Sequence, residues 1–251
     1  MMVPARVAMA NSAQTEFVIL RGPKTLARCA ADWLLTRVLA VDGEPAICLA
    51  GGATPSVLYR LLAEAPWRDR FPWRRVHWFW GDERFVPPDD PRSNYRMVRA
   101  ALLDHVPVPP ENIHPILADR PLDEAAEAYE RCLKQFYGMD GLTMHRPLFA
   151  ATLLGLGSDG HTASLFPGSA VIRENQRWVA PVPDAQPEPR ITLTLPTLAS
   201  SGEIAFLVSG AKKRDVLALV RRHGDVPATR VHSAGRVHWF VDRAAAGLAS
   251  T

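Results

Sequence analysis

Short apolar runs alternate with amphipathic stretches along most of this 251-residue chain. The runs at 16–20, 46–50, 76–80, 148–154, 191–195, 203–209 and 237–241 predict buried strands. Several are apolar on both faces, as parallel strands covered by helices on both sides must be. Between them, residues 24–39, 55–63, 94–103, 122–136 and 211–222 repeat apolar positions at helical spacing. Pro23 stands just ahead of the first helix, Pro55 opens the second, and Gly224 closes the last. Strands interleaved with helices predict an α/β fold: a doubly wound, mostly parallel open sheet with helices on both faces, Rossmann-like. The pattern places one domain over 16–251 behind a flexible segment at 1–15. The proline-rich stretches 87–91 and 181–189 read as ordered loops, too short for interdomain linkers.

Composition narrows the class without changing that picture. A hydrophobic share of 47% and a charged share of 22% are ordinary globular values, which excludes disordered, collagenous and coiled-coil chains. Lys+Arg 29 against Asp+Glu 26 leaves a net +3, too small and too scattered to predict a nucleic-acid partner. Cys29, Cys48 and Cys132 are far apart and form no C-x-x-C, so they read as reduced, buried small side chains with no metal site. Ala8-Met9-Ala10 resembles a signal cleavage site, but Arg6 interrupts the short stretch before it and no hydrophobic segment is present. No run approaches the roughly 18 apolar residues of a membrane span. A soluble cytoplasmic protein, monomeric or a small homo-oligomer, is expected.

In a doubly wound sheet ligands sit beyond the carboxyl ends of the strands, so candidate chemistry is sought there. After the run ending at Ala50 comes Gly51-Gly52-Ala53-Thr54-Pro55. Glycines allow close backbone approach, and the following helix N-terminus suits a phosphate. The alternative is a tight turn with Thr54 as N-cap. After Trp80 comes Gly81-Asp82-Glu83-Arg84, either a solvated turn or a site. There Arg84 would hold a phosphate and Asp82 would meet a sugar hydroxyl or orient another group. After Leu154 comes Gly155-Leu156-Gly157-Ser158-Asp159-Gly160-His161. Its G-x-G-x-x-G suggests a dinucleotide site, but Pro167-Gly168 stops any long helix behind it. A histidine beside Asp159 at a glycine-rich strand end instead predicts a general base, since imidazole titrates near neutrality. After Ser209, Lys212 and Lys213 open a helix against its dipole, which points to a bound anion. Arg190 adds one more cation at the head of its strand. The residues themselves predict a metal-free acid–base enzyme for a small phosphorylated substrate and do not select the reaction.

A resemblance selects it. Gly-Gly-Ala-Thr-Pro at 51–55, Gly-Asp-Glu-Arg-Phe-Val at 81–86, Ser-Asn-Tyr at 93–95 and Leu-Gly-Ser-Asp-Gly-His-Thr-Ala-Ser-Leu-Phe-Pro at 156–167 resemble the 6-phosphogluconolactonase signature. Arg-Ile-Thr-Leu-Thr at 190–194 and Gly-Ala-Lys-Lys at 210–213 continue it in order, so the likeness spans nearly the whole chain. Ala50 stands where that family usually has serine. The resemblance implies hydrolysis of 6-phospho-D-glucono-1,5-lactone without a cofactor. It implies His161 as general base, Asp159 orienting it, and Asp82 contacting the substrate or the histidine. Arg84 and Lys212 or Lys213, with the loop Gly51, Gly52 and Thr54, would hold the phosphate. Two alternatives share the superfamily resemblance. An amino-sugar-phosphate deaminase typically continues Asp-Gly-His with Ile-Ala-Phe-Asn-Glu-Pro, whereas 162–167 lack the glutamate, and Arg84 replaces an aromatic residue. A sugar-phosphate-sensing domain of a transcriptional regulator would carry an N-terminal DNA-binding module, for which about 15 residues ahead of the first strand are too few.

Overall fold

The computed structural model describes residues 6–7, 15–143 and 145–249. In chain order the elements are β1 (Arg6–Val7), β2 (Thr15–Leu20), α1 (Pro23–Leu39), β3 (Ala46–Leu49), α2 (Ala53–Leu62), α3 (Trp67–Arg70), β4 (His77–Trp80), β5 (Asp82–Arg84) and α4 (Asn94–Ala101). They continue with β6 (Ile113–His114), α5 (Leu122–Tyr137), β7 (Phe149–Leu154), β8 (Val179–Val182), β9 (Arg190–Leu193), α6 (Leu195–Ala199), β10 (Ser201–Val208), α7 (Arg214–Arg221) and β11 (Val237–Asp242).

The central sheet has the order β1-β2-β11-β10-β7-β3-β4-β6, parallel throughout except for β1. Strands β3 and β11 are buried at every position, and β10 at all but Gly202 and Glu203, which matches their near-continuous apolar sequences. Helices pack around the sheet. Leu26, Ala30, Leu34 and Val38 of α1 are wholly buried at helical spacing. Of the segment expected to be flexible at 1–15, Arg6–Val7 pair with β2 and Thr15 opens it, and the rest lies outside the described residues.

The order reverses between β3 and β7. From β3 the chain moves outward through β4 to β6, and from β7 it moves the other way through β10 to β11. Their carboxyl ends therefore diverge and open a crevice, the usual ligand position of such sheets. Two tyrosines brace its rim. Tyr59 Oη of α2 accepts from Ala50 N at 3.0 Å and donates to Ala50 O at 2.7 Å. Tyr129 Oη of α5 does the same for Trp80, at 2.7 and 3.0 Å. Each hydroxyl satisfies both backbone groups at the residue where a strand gives way to a loop, so neither backbone group is orphaned there.

Three details depart from the sequence pattern. The run at 191–195 does not join the parallel sheet: β9 pairs antiparallel with β5 and β8 in a separate three-stranded sheet. Helix α2 begins at Ala53, two residues before Pro55. The stretch 211–222 splits into a 3₁₀ turn, Ala211–Lys213, and α7; behind it His223, at φ +56°, reverses the chain one residue before Gly224.

Candidate active site

A cavity of about 440 Å³ opens at the reversal point. It is lined by the segments after β3, β4, β7 and β10 and by one residue each from α4 and β9. Gly51, Gly52, Thr54, Asp82, Arg84, His161, Arg190 and Lys213 all face it, although they come from five separate stretches of chain. Lys212 does not line it and is exposed, so of the lysine doublet it is Lys213 that faces the cavity.

The loop after β7 is wound tightly around His161. Its backbone N donates to Asp159 Oδ1 at 3.1 Å, its carbonyl accepts from Gly157 N at 2.8 Å, and its Nδ1 lies 2.6 Å from the same Asp159 oxygen. A Cβ at Gly157 would overlap the imidazole and the Asp159 carboxylate, so only glycine permits the wrap. Burial pushes the Asp159 carboxyl up, but the backbone and ring of His161 hold the charged form more strongly, and the net pKa lies below the usual carboxylate value. With Nδ1 engaged, Nε2 has no hydrogen-bond partner among the described residues. No long helix follows this loop; the next helical turn is the 3₁₀ segment Ala170–Arg173, so the G-x-G-x-x-G does not build a dinucleotide site.

Strand alternation sorts the charged triplet after β4. Asp82 and Arg84 point into the cavity, while Glu83 between them turns under α4. Glu83 accepts from Asn94 N and Tyr95 N at 2.7 Å, Arg84 N at 2.8 Å and Ser93 Oγ at 3.0 Å. It thus caps the N-terminus of α4 from a distant strand. Burial pushes its carboxyl up to about 7 against the pull of those N–H donors. Asp82 Oδ2 accepts from Ser164 Oγ at 2.7 Å; among the described residues that is its side-chain partner, and no bond joins it to His161.

Three cations face the cavity. Arg84 and Arg190 stand directly opposite each other across the β5–β9 pair, a register that is unfavourable for like charges. Burial first and Arg84 second lower the Arg190 pKa. Arg84 Nε is buried with no partner. On the far wall, burial lowers the Lys213 pKa while nearby Asp159 raises it. Asp242 fixes the turn before that lysine, accepting from Ser209 Oγ and from Gly210 N at 3.1 Å. Helix α2 adds its N-terminus: the N-cap is Gly52, with no side-chain cap, so Thr54 is not the cap and its first N–H groups remain open.

Sequence reasoning assigned no role to Asn94, Ser164, Glu188 or Asp242. Asn94 lines the cavity, donates to Asp82 O at 2.9 Å, and packs so closely on Gly51 that any Cβ there would overlap it. Its place in the Ser-Asn-Tyr motif was the available signal. Among the described residues no three His, Cys, Asp or Glu side chains are grouped to hold a metal, and no helix is long and apolar enough to cross a membrane.

A parallel α/β sheet with cations and a histidine–carboxylate pair at its topological switch point defines a class: α/β proteins whose crevice suits a small phosphorylated ligand. Within that class the chain belongs to the family described as glucosamine-6-phosphate isomerases/6-phosphogluconolactonase, whose profile matches residues 22–239. A 6-phosphogluconolactonase of Synechocystis sp. is 38% identical over 216 residues, 84% of this chain and 87% of the relative. The crystal structure of 6-phosphogluconolactonase from Thermotoga maritima matches with a TM-score of 0.79 at 30% identity, covering 91% of this chain and 100% of that one. A monomeric glucosamine-6-phosphate deaminase, 21% identical with a TM-score of 0.78 over 93% and 99% of the two chains, shares the fold.

Proposed function

We propose that this chain is a cytoplasmic 6-phosphogluconolactonase, hydrolysing 6-phospho-D-glucono-1,5-lactone to 6-phospho-D-gluconate in the oxidative pentose phosphate pathway. One observation carries the reading: His161 is fixed through Nδ1 by Asp159 and left open at Nε2, in the same cavity as Arg84, Arg190 and Lys213. The curated relatives and solved structures bearing that name support it.

In this reading the substrate phosphate is held by Arg84, Arg190 and Lys213 with the open N-terminus of α2 and the Gly51–Thr54 loop. Lys212 takes no part. His161 Nε2 accepts a proton from water as the water oxygen bonds to the lactone carbonyl carbon. Asp159 accepts from Nδ1–H, which fixes the tautomer and steadies the imidazolium. When the ring C–O bond breaks, His161 returns the proton to the departing ring oxygen. The products are a hydroxyl and a carboxylic acid that ionises at neutral pH. Water is the only co-reactant, so the step requires no cofactor. Asp82, held by Ser164, accepts from a sugar hydroxyl. We read residues 16–251 as one catalytic domain acting on a small molecule, monomeric or in a small homo-oligomer, without nucleic-acid or membrane partners. The free thiols Cys29, Cys48 and Cys132 agree with a reducing compartment.

The deaminase alternative needs a glutamate to assist ring opening, and Phe166 occupies that place in the motif, its ring centroid 4.8 Å from that of His161. The test is lactone hydrolysis with 6-phosphogluconolactone made in situ and spontaneous opening subtracted, run beside ammonia release from glucosamine 6-phosphate. Accelerated hydrolysis without ammonia is the expected result. Ammonia release, or phosphosugar binding with no turnover of either substrate, would overturn the assignment.

A further inference from the structure

The two proline-rich loops cross beside the cavity and are joined by one buried carboxylate, Glu188. Its Oε1 lies 3.0 Å from Arg190 Nη2, and its Oε2 accepts from Arg92 Nη1 at 3.1 Å. Its own carbonyl accepts from Arg190 Nε at 3.3 Å. Arg92 is tied back to Asp90, whose two oxygens take Nε at 3.0 Å and Nη2 at 2.8 Å. The carbonyl of the same Arg92 accepts from Arg84 Nη1 at 2.6 Å. Both cavity guanidiniums are therefore anchored to one bridge: Arg190 through the Glu188 carboxylate, and Arg84 through the backbone that Glu188 pins by way of Arg92. Phe85 N, donating to Pro189 O at 2.9 Å, fastens the two loops at the same point.

Physical chemistry requires some such device. Arg84 and Arg190 face each other across adjacent strands, and their mutual repulsion drives both side chains toward solvent unless an anion or a fixed acceptor restrains them. Arg190 is nearly buried and Glu188 is its only carboxylate within ion-pairing distance among the described residues. A guanidinium recognises phosphate through a planar fork, so a tilt of the fork weakens two hydrogen bonds together.

We infer that Glu188 is a positioning residue for anion recognition: it preorganises the Arg84–Arg190 pair to receive the phosphate of the substrate while touching no substrate atom itself. The inference rests on the proposed lactonase reading for its kinetic readout but not for its binding readout. Glu188→Gln keeps the shape and removes the charge. It is expected to raise KM for the phosphorylated lactone about tenfold, the effect of weakening charge-assisted hydrogen bonds, with kcat within about twofold. For unphosphorylated glucono-δ-lactone, kcat/KM should stay within about twofold of wild type. In the Arg190→Met background the same substitution should add little, because the partner it positions is gone. Independently of turnover, inorganic phosphate at millimolar concentration should raise the wild-type Tm, and Glu188→Gln should lose most of that shift.

Equal losses on the phosphorylated and unphosphorylated lactones, or a lowered Tm with KM and the phosphate shift unchanged, would overturn the inference and leave Glu188 a structural residue. Should Glu188→Gln fail to fold, Glu188→Asp retains the charge with a shorter reach. A smaller rise in KM is then expected, and an unaltered KM again overturns the inference. A wild-type protein inactive on the lactone would sink the proposed function, while the phosphate-shift comparison would still decide the role of Glu188.

Discussion

The molecule contains two histidine–carboxylate pairs of nearly equal length at opposite ends of one sheet. At the carboxyl ends of the strands His161 Nδ1 lies 2.6 Å from Asp159. At the amino ends of β10 and β11, His238 Nε2 lies 2.7 Å from Glu203. The second pair is more buried and more heavily bonded. The other nitrogen of His238 lies 3.4 Å from Glu16, and Glu203 also accepts from Trp33 Nε1 at 3.2 Å and from Arg37. Every polar atom of that imidazole is consumed by the protein, so it cross-links β2, β10 and β11 to α1. His161 has one nitrogen spent on orientation and one facing a cavity. The chemistry of the pair is the same; what separates a structural histidine from a candidate base is whether the fold leaves one ring nitrogen for a ligand.

The strongest way to break this contrast is to exchange the two deletions. His161→Ala should lower kcat for the phosphorylated lactone by about 10²–10⁴, the usual worth of a general base, and leave the Tm within a few degrees of wild type. His238→Ala should do the reverse. It removes a buried ring and the contacts that tie β11 to Glu203 and Glu16, costing about 2–4 kcal/mol in urea unfolding, with kcat at 25 °C unchanged in the folded fraction. Similar losses of kcat in both variants would erase the distinction.

Asp159→Asn tests the orienting half of the pair and should have a smaller effect. The amide keeps the size and one acceptor but loses the charge that steadies the imidazolium, so kcat should fall about 10- to 100-fold with KM nearly constant. A rise in KM with kcat preserved would place Asp159 among the binding groups instead.

How much of this was legible beforehand follows from how local each interaction is. Asp159 and His161 are two residues apart, and their glycine-rich setting at a strand end reveals them without a fold. The seven apolar runs all form strands, and where burial covers both faces, as in β3 and β11, the pattern is continuous and needs no partner to be recognised. The run at 191–195 shows the limit: its composition gives a strand, but the antiparallel sheet with β5 and β8 depends on segments of three and four residues that carry too little periodicity to read. Lysines 212 and 213 are chemically identical, and only the 3₁₀ turn at 211–213 decides which one enters the cavity. Ser164 under Asp82, Glu83 beneath α4 and Glu188 between two arginines are joined across 82, 11 and 96 positions of chain respectively. No local pattern encodes such partners, and the resemblance to a known family supplied motifs without these links.

The smallest expected effect concerns a third histidine pair, which sharpens the comparison by having no carboxylate between its rings. His77 Nδ1 and His114 Nε2 are 2.9 Å apart where β4 meets β6, with Cys132 Sγ 3.6 Å from His114 Nδ1 and Glu44 3.5 Å from His77 Nε2. Burial, and after it the neighbouring His77, push the His114 pKa down to about 4. In the unfolded chain a histidine titrates near 6.5, so between about pH 6.5 and 4 the unfolded state binds a proton that the folded state does not. Stability therefore falls as pH falls through that window and is regained above it. The half-exposed setting keeps the effect to about 1 kcal/mol. Urea midpoints at pH 7.5 and pH 5 should separate further for wild type than for His114→Gln, whose amide does not titrate. Hydrolysis at pH 7.5 should be the same in both proteins, because neither histidine lines the cavity. An equal drop in midpoint for the two proteins would move the acid sensitivity to the other ring, His77, whose pKa burial also lowers.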